Sequence, residues 1–306
     1  MKTKFILVAM TLVCLMGQAH PKVEGSPQML LKSQEGFMAP TWSPDGQQLA
    51  VTGNNYTGIW IASIDGSGIQ QITSDAGAGY KMAWSPESNT ILGRTNVIKN
   101  GRVLHQLKTY DTKTGKSAIV MDATRNLCGT PTWGKAGEVK FAKKDGAQKI
   151  RLSENQASPI QLNVYETMLS YPFEATQLIP SLSEFAGKPI INPSMSPDGS
   201  KIAFQIAGKG IFVCAADGSQ LKHLGKGSYP SWMPDSKHIV VAEVKDNGEV
   251  FTSSKLISFD TESGESALLF ENNDMIPVTP AVSPKGNQLA FENSRNGCIY
   301  ILNLTF

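Results

Sequence analysis

The sequence predicts an all-β fold: a six-bladed β-propeller of four-stranded antiparallel blades, closed by an N-terminal strand that completes the last blade. Three observations carry the prediction. One phrase recurs, as "PTWSPDGQQLAV" at 40–51, "PSMSPDGSKIAF" at 193–204, "PSWMPDSKHIVV" at 230–241 and "PAVSPKGNQLAF" at 280–291. Degenerate copies, "KMAWSPESNTIL" at 81–92 and "PTWGKAGEVKFA" at 131–142, bring the number of units to six. Their aromatic or apolar marker falls at Trp42, Trp84, Trp133, Met195, Trp232 and Val282, in steps of 42, 49, 62, 37 and 50 residues. Periods of roughly 40 to 50 residues belong to propeller blades. Finally, each unit reads as short β-rich runs divided by tight turns.

The N-terminus stands apart from the repeats. Lys2 and Lys4 precede an apolar run from Phe5 to Met16, then Gly17, Gln18 and Ala19. Basic residues, a short apolar core and small residues before a cleavage point describe a secretory signal over 1–19. The run is too short to span a bilayer, and Val13 before Cys14 is not the small residue that a lipoprotein site requires. No second apolar span follows. The expectation is a periplasmic or secreted monomer without a membrane span, cleaved near Ala19, with 20–306 forming the propeller.

The first unit shows the blade plan. "APTW", the turn "SPDG", "QQLAVTG", "GIWIASI", the turn "DGSG" and "IQQIT" read as a four-stranded meander. Pro44 presets φ at the first turn and Gly46 supplies its permissive end. The fourth unit repeats the plan with "GIFVCAA", "DGS" and "QLKHLG", and the fifth with "SKLISFD", "TESG" and "ESALLF". Asp45, Asp198 and Asp235 sit in these turns, where Asp bonds its own backbone. The last unit stops after three strands. "QMLLKS" at 28–33 supplies the missing one, which closes the ring and covers a sheet edge.

These residues resemble a known family. "PTWSPDGQQLAV" followed by "GIWIASIDGSGIQQIT" is similar to the repeat of TolB-type six-bladed propellers, with related repeats in prolyl-oligopeptidase-type propellers. The resemblance covers nearly all of the chain beyond the signal. It implies the propeller part alone, because about ten residues between signal and closing strand leave no room for the α/β domain that precedes the propeller in a full TolB. It does not assign a ligand.

Composition narrows the function. Lys and Arg number 28 against 26 Asp and Glu, and removal of Lys2 and Lys4 with the signal makes the chain neutral. A nucleic-acid binder needs a basic excess, so none is expected. Cys128, Cys214 and Cys298 form no disulfide framework by spacing; Cys214 and Cys298 read as small apolar strand residues, and whether any pair is bridged stays open. No GxSxG occurs, the nearest being "GESAL" at 264–268. His105, His223 and His238 fall on the third strand of blade two, the fourth of blade four and the second of blade five. At these different radii they should not converge on a metal. Propeller lyases acting on pectic sugars use channel histidines, and the sequence reproduces no such cluster. Calcium loops of the DxDxDG kind are absent from it as well. No metal and no cofactor are expected.

Specificity in a propeller lies on loops that differ between blades. The loops joining strands two and three, and those joining blades, share the face opposite the "SPDG" turns. They carry Tyr56, Tyr80, Lys99, Arg102, Arg125, Tyr229, Lys245, Asp274 and Arg295; Tyr and Arg are the usual contact residues of interfaces. A long insertion over 166–193, between blades three and four, adds Tyr171 and Phe173. It is apolar enough to be ordered, and it is expected either to cover the face or central opening or to pack as a protective flap. The candidate binding residues are Tyr56, Tyr80, Arg102, Arg125, Tyr171, Phe173, Tyr229, Lys245 and Arg295. They point to a non-catalytic binding propeller that docks a protein partner. The alternative is a carbohydrate-active or other small-substrate enzyme, lyase or hydrolase, at the central opening.

Overall fold

A computed structural model describes residues 19–153 and 156–306, so residues 1–18 of the segment expected to be a signal lie outside the described residues. Six four-stranded antiparallel sheets follow one another around an axis. Blade one comprises Met38–Trp42, Gln48–Thr52, Ile59–Ser63 and Ile69–Thr73; blade two comprises Ala83–Trp84, Thr90–Lys99, Arg102–Asp111 and Ser117–Thr124. Blade three runs through Leu127–Trp133, Glu138–Lys143, Gly146–Arg151 and Ala157–Ile160. Blade four has Ile190–Met195, Lys201–Ile206, Gly210–Ala215 and Lys222–Gly225. Ser228–Trp232, His238–Asp246, Phe251–Asp260 and Ser266–Glu271 make blade five. Blade six takes Pro277–Val282, Gln288–Asn293 and Cys298–Thr305 from the C-terminus and Lys22–Leu31 from the N-terminus.

The closing strand is longer than the sequence pattern indicates. It starts at Lys22, paired with Thr305, and ends at Leu31, paired with Ile299. Its register shifts between Glu24 and Gln28, where Gly25 adopts a left-handed φ of 77° and Pro27 can donate no ladder bond. That interruption hides the first half of the strand from a period-two reading.

The repeated phrase explains how neighbouring blades are joined. Trp42 Nε1 donates to the Ala281 carbonyl of blade six (2.8 Å), Trp84 to Thr41 (3.1 Å), Trp133 to Ala83 (3.0 Å) and Trp232 to Ser194 (2.9 Å). Each indole thus bonds the innermost strand of the preceding blade while its ring fills the seam. Blade six has Val282 instead, and its backbone N–H donates to Ser231 Oγ of blade five (2.9 Å). The "SPDG" turns add a second link. Ser43 Oγ donates to Asp45 Oδ1 (2.6 Å), and the Asp45 N–H reaches Ser88 Oγ of the next blade (3.2 Å). Asp198 repeats this with Ser196 and Ser236, and hydrogen bonds from Ser196 and Ser200 lower its carboxyl to about 2.

Five buried apolar clusters each join two adjacent blades. The sixth is different. It joins blade four to the insertion, through Met168, Ala175, Ile179 and Leu182 against Ile202, Phe204 and Phe212. Helix α1 (Val164–Ser170) packs on the innermost strands of both blade three and blade four, and α2 (Ala175–Leu178) and a 3-10 turn (Pro180–Phe185) follow it. The insertion is a helical wedge between two blades. Its start is fixed by a capping box: Asn163 Oδ1 accepts from the Glu166 N–H (2.8 Å), and Glu166 Oε2 accepts from the Asn163 N–H (3.1 Å). Glu166 also pairs with Lys140 of blade three at 2.6 Å. Met195 of blade four carries no indole to reach blade three, and the wedge occupies that seam instead.

Candidate functional site

Six innermost strands enclose a central channel of about 660 Å³. Each of them begins with a backbone irregularity at an equivalent point. Ala39, Lys81, Gly129, Asn192, Tyr229 and Thr279 all have φ between 48° and 58°. In five blades the pairing with the second strand slips by a bulge at this position. Left-handed backbone is unusual for non-glycine residues and a true outlier for β-branched Thr279, and bulges re-aim side chains beside functional sites. Ala39, Lys81, Asn192, Tyr229 and Thr279 line the channel. This ring is a set of blade-specific residues held at one level.

Around it the channel wall is uncharged with a single exception. Hydroxyls come from Thr41, Thr130, Thr132, Ser194 and Ser231, apolar surface from the prolines and tryptophans of the phrase, and charge from Lys81 alone. Lys81 is open to channel water but has protein on all sides; desolvation lowers its ammonium to about 8. It donates to Asn192 Oδ1 across blade three. Tyr165 and Leu169 of the wedge complete the wall on that side, and burial pushes the Tyr165 phenol up to about 12.

Three predicted tyrosines meet at the mouth. The Tyr56 and Tyr80 rings pack edge to face with centroids 5.0 Å apart, and both line the channel with Tyr229. Burial raises Tyr56 and Tyr229, helped by the charges of neighbouring phenols and of Glu292. Glu292 stands behind the ring, not in the channel wall. Its Oε2 accepts from the Ala39 N–H and from Thr279 Oγ1, both at 3.4 Å, and desolvation raises it to about 7. Near Gly129, Arg94 donates to the Gly129 carbonyl (2.5 Å) and contacts His105 Nε2 (2.8 Å), while His105 Nδ1 meets Asn96 Oδ1 (3.0 Å). Desolvation and then the Arg94 charge lower His105, so it accepts from Arg94 as a neutral ring.

The remaining candidates lie away from this mouth. Arg102 is at the tip of the blade-two hairpin, where it pairs with Lys99, and Lys245 is on the long hairpin of blade five opposite Ser253. Arg125 and Arg295 are exposed on separate loops. Tyr171 ends α1 and donates to the Lys143 carbonyl (3.0 Å), and Phe173 beside it is exposed. Lys81, Asn192, Arg94 and Glu292 are missed by the loop-based reading. The signal for the first two was the blade-to-blade variation at the residue just before or at the head of the repeated phrase. His105, His223 and His238 share no partner. Among the described residues, no three His, Cys, Asp or Glu side chains form a metal site, and Cys128, Cys214 and Cys298 are free thiols.

No protein-family model matches the sequence, and no curated protein is similar to it. Solved structures are similar in fold. A protein assigned as TolB in Agrobacterium tumefaciens is 15% identical, with a TM-score of 0.53 over 91% of this chain and 94% of its own. The fold is that of a TolB-like propeller. The oligogalacturonate lyase of Vibrio parahaemolyticus is 14% identical, with a TM-score of 0.52 over 90% of this chain and 79% of its own. The Cps50 (Swd1) β-propeller domain of Myceliophteria thermophila is 9% identical, with a TM-score of 0.52 over 92% of this chain and 100% of its own. Likeness at these identities shows the fold alone, so the residues at the channel mouth must carry any functional argument.

Glu292 gives that mouth a measurable pH signature. Its folded value of about 7 lies above the usual 4.5, so the folded state holds a proton that the unfolded chain has released between these values. The stability from the protonated acid is complete below the usual carboxylate range and is lost as pH rises through about 7. Glu292→Gln should unfold like the parent in acid and be more stable above about pH 8, by up to about 3 kcal/mol. Urea unfolding at both pH values checks this; an unchanged gap between the two proteins would contradict it.

Proposed function

We propose that the chain is an extracytoplasmic, non-catalytic binding propeller that docks a protein partner on the channel-mouth face. One observation supports this most: Tyr56 and Tyr80, from two loops, and Tyr229, from the first strand of blade five, gather around a channel whose wall carries a single charge. All three keep surface open to a partner, Tyr80 most of all at 39 % exposure, and tyrosine is among the residues that carry most of the energy of protein interfaces once a partner covers them. General acid–base catalysis needs its groups within hydrogen-bond reach of the protons they move, and of the channel-wall residues only Lys81 is charged, with Glu292 bonded to Ala39 and Thr279 outside that wall. The basic and apolar N-terminal segment supports a site of action beyond the cytoplasmic membrane.

A small-substrate enzyme is the second reading. It is favoured by the near-neutral values of Glu292 and Lys81 beside an axial cavity. Affinity capture from the host envelope separates the readings, using the mature chain, a Tyr56→Ala/Tyr80→Ala/Tyr229→Ala variant and an Arg102→Ala/Arg125→Ala/Arg295→Ala variant. The expected result is one partner held by the parent and the arginine variant and lost by a tyrosine variant that still melts cooperatively. Loss with the arginine variant alone would move the interface to the rim. Failure to capture any specific partner would favour the enzyme.

A further inference from the structure

Lys81 raises a question that docking at the mouth does not answer. It is the one charged side chain in the channel wall, and it makes no ion pair among the described residues; its partner is a neutral amide, Asn192. A lone ammonium facing the water of a recess whose wall holds no counter-charge attracts an anion. Asn192 accepts from Lys81 through Oδ1, which leaves its amide hydrogens for an incoming oxygen. No carboxylate lines the channel to repel such a group.

The cavity also limits what can bring the charge. The six first strands and the wedge residues Tyr165 and Leu169 enclose it, and its wall is otherwise hydroxyls, prolines, tryptophans and small apolar groups. An axial recess of this kind accepts one chain end more easily than a doubled loop. An acidic side chain would enter only with its neighbours, whereas a C-terminus carries a carboxylate at its very tip. Capture of a terminal carboxylate is an established mode of peptide recognition. Resting on the docking reading above, we infer that the channel takes the free carboxyl end of a partner polypeptide, with the terminal carboxylate on Lys81 Nζ and the Asn192 amide and an uncharged tail packed along the Tyr229 and Thr279 side.

The test uses labelled hexapeptides of uncharged residues, N-acetylated and made both as free acids and as carboxamides, with galacturonic acid as a second probe. Fluorescence anisotropy against the mature chain should show free acids binding at least about tenfold tighter than their amides, the scale of one charge-assisted contact. Lys81→Met should abolish that preference and Lys81→Arg should keep it. In the parent, free-acid affinity should fall as pH rises through about 8, where the Lys81 ammonium is lost, and more steeply than in Lys81→Arg, where only the ionisation of Glu292 near 7, beside Ala39 and Thr279, opposes the anion. Equal binding of acids and amides, unchanged binding by Lys81→Met, or no peptide binding would each overturn the inference. Lys81-dependent binding of galacturonic acid without peptide binding would also overturn it and assign the cation to a sugar acid. Envelope capture that survives Lys81→Met but is lost in the tyrosine variant would remove this inference and leave the docking reading in place.

Discussion

Removal of Lys22–Leu31 is expected to abolish cooperative folding. This strand pairs along Cys298–Thr305 from Lys22 to Leu31 and covers what would otherwise be the open edge of blade six. Leu31 is buried in the cluster that joins blades six and one, with Phe37, Trp42, Ile299 and Ile301, and Val23 packs on the cluster between blades five and six. The deletion therefore weakens two seams of the ring as well as one sheet. Each large buried aliphatic side chain is worth about 2–5 kcal/mol on truncation, and a whole domain has only about 5–15 kcal/mol to lose. Circular dichroism melting should show a broad, early transition or none. Leu31→Ala, which leaves the strand in place, should remain folded and lose about 2–5 kcal/mol in urea. A truncated chain that melts like the parent would show that the ring does not depend on this closure.

Gly129→Ala should be the most damaging single methyl addition at the site. Gly129 has a φ of 48°, and a Cβ built there would lie 2.0 Å from the Leu169 carbonyl and 2.6 Å from Ser170 Cα. Both obstacles are backbone at the end of α1, so no side chain can swing aside. Left-handed strain costs about 1 kcal/mol or more, and displacement of the helix adds to it, giving at least about 3 kcal/mol in total. Because Tyr165 and Leu169 of the same helix line the channel, the variant should also perturb the mouth. Urea unfolding measures the first effect, and the Trp fluorescence of the folded variant reports the second. A loss under about 1 kcal/mol would mean that α1 is not wedged against blade three as described.

The repeated phrase made the ring legible because it encodes what every blade has in common. Pro44, Asp45 and Gly46 state a turn, Trp42 states a seam, and alternation within "QQLAVTG" states a strand. The indole bonds between blades give that marker its physical reason. Tyr56 and Tyr80 were legible as loop residues, whereas Tyr229, expected on a blade-joining loop, lies in the first strand of blade five. The gathering of these tyrosines with Lys81 and Asn192 around one channel was not, because left-handed backbone at both residues, with a bulge beside Asn192, is invisible to a period-two reading. Glu292 was hidden for another reason: it lies on a regular strand, and only its closeness to Ala39 and Thr279, across the closure of the ring, makes it part of the site. The insertion was legible as ordered and apolar. Its helices became clear only through what they replace, the missing contact between blades three and four.

The most direct test of the channel mouth as the docking site is site-specific photo-crosslinking in the host envelope. A photoreactive phenylalanine would replace Tyr80 at the mouth in one protein and Arg102 at the blade-two hairpin tip in another. A partner docked at the mouth should crosslink to the first position, and Lys81→Met should weaken that crosslink if a terminal carboxylate is what the channel holds. A partner that crosslinks from the hairpin tip and never from the mouth would contradict the proposal.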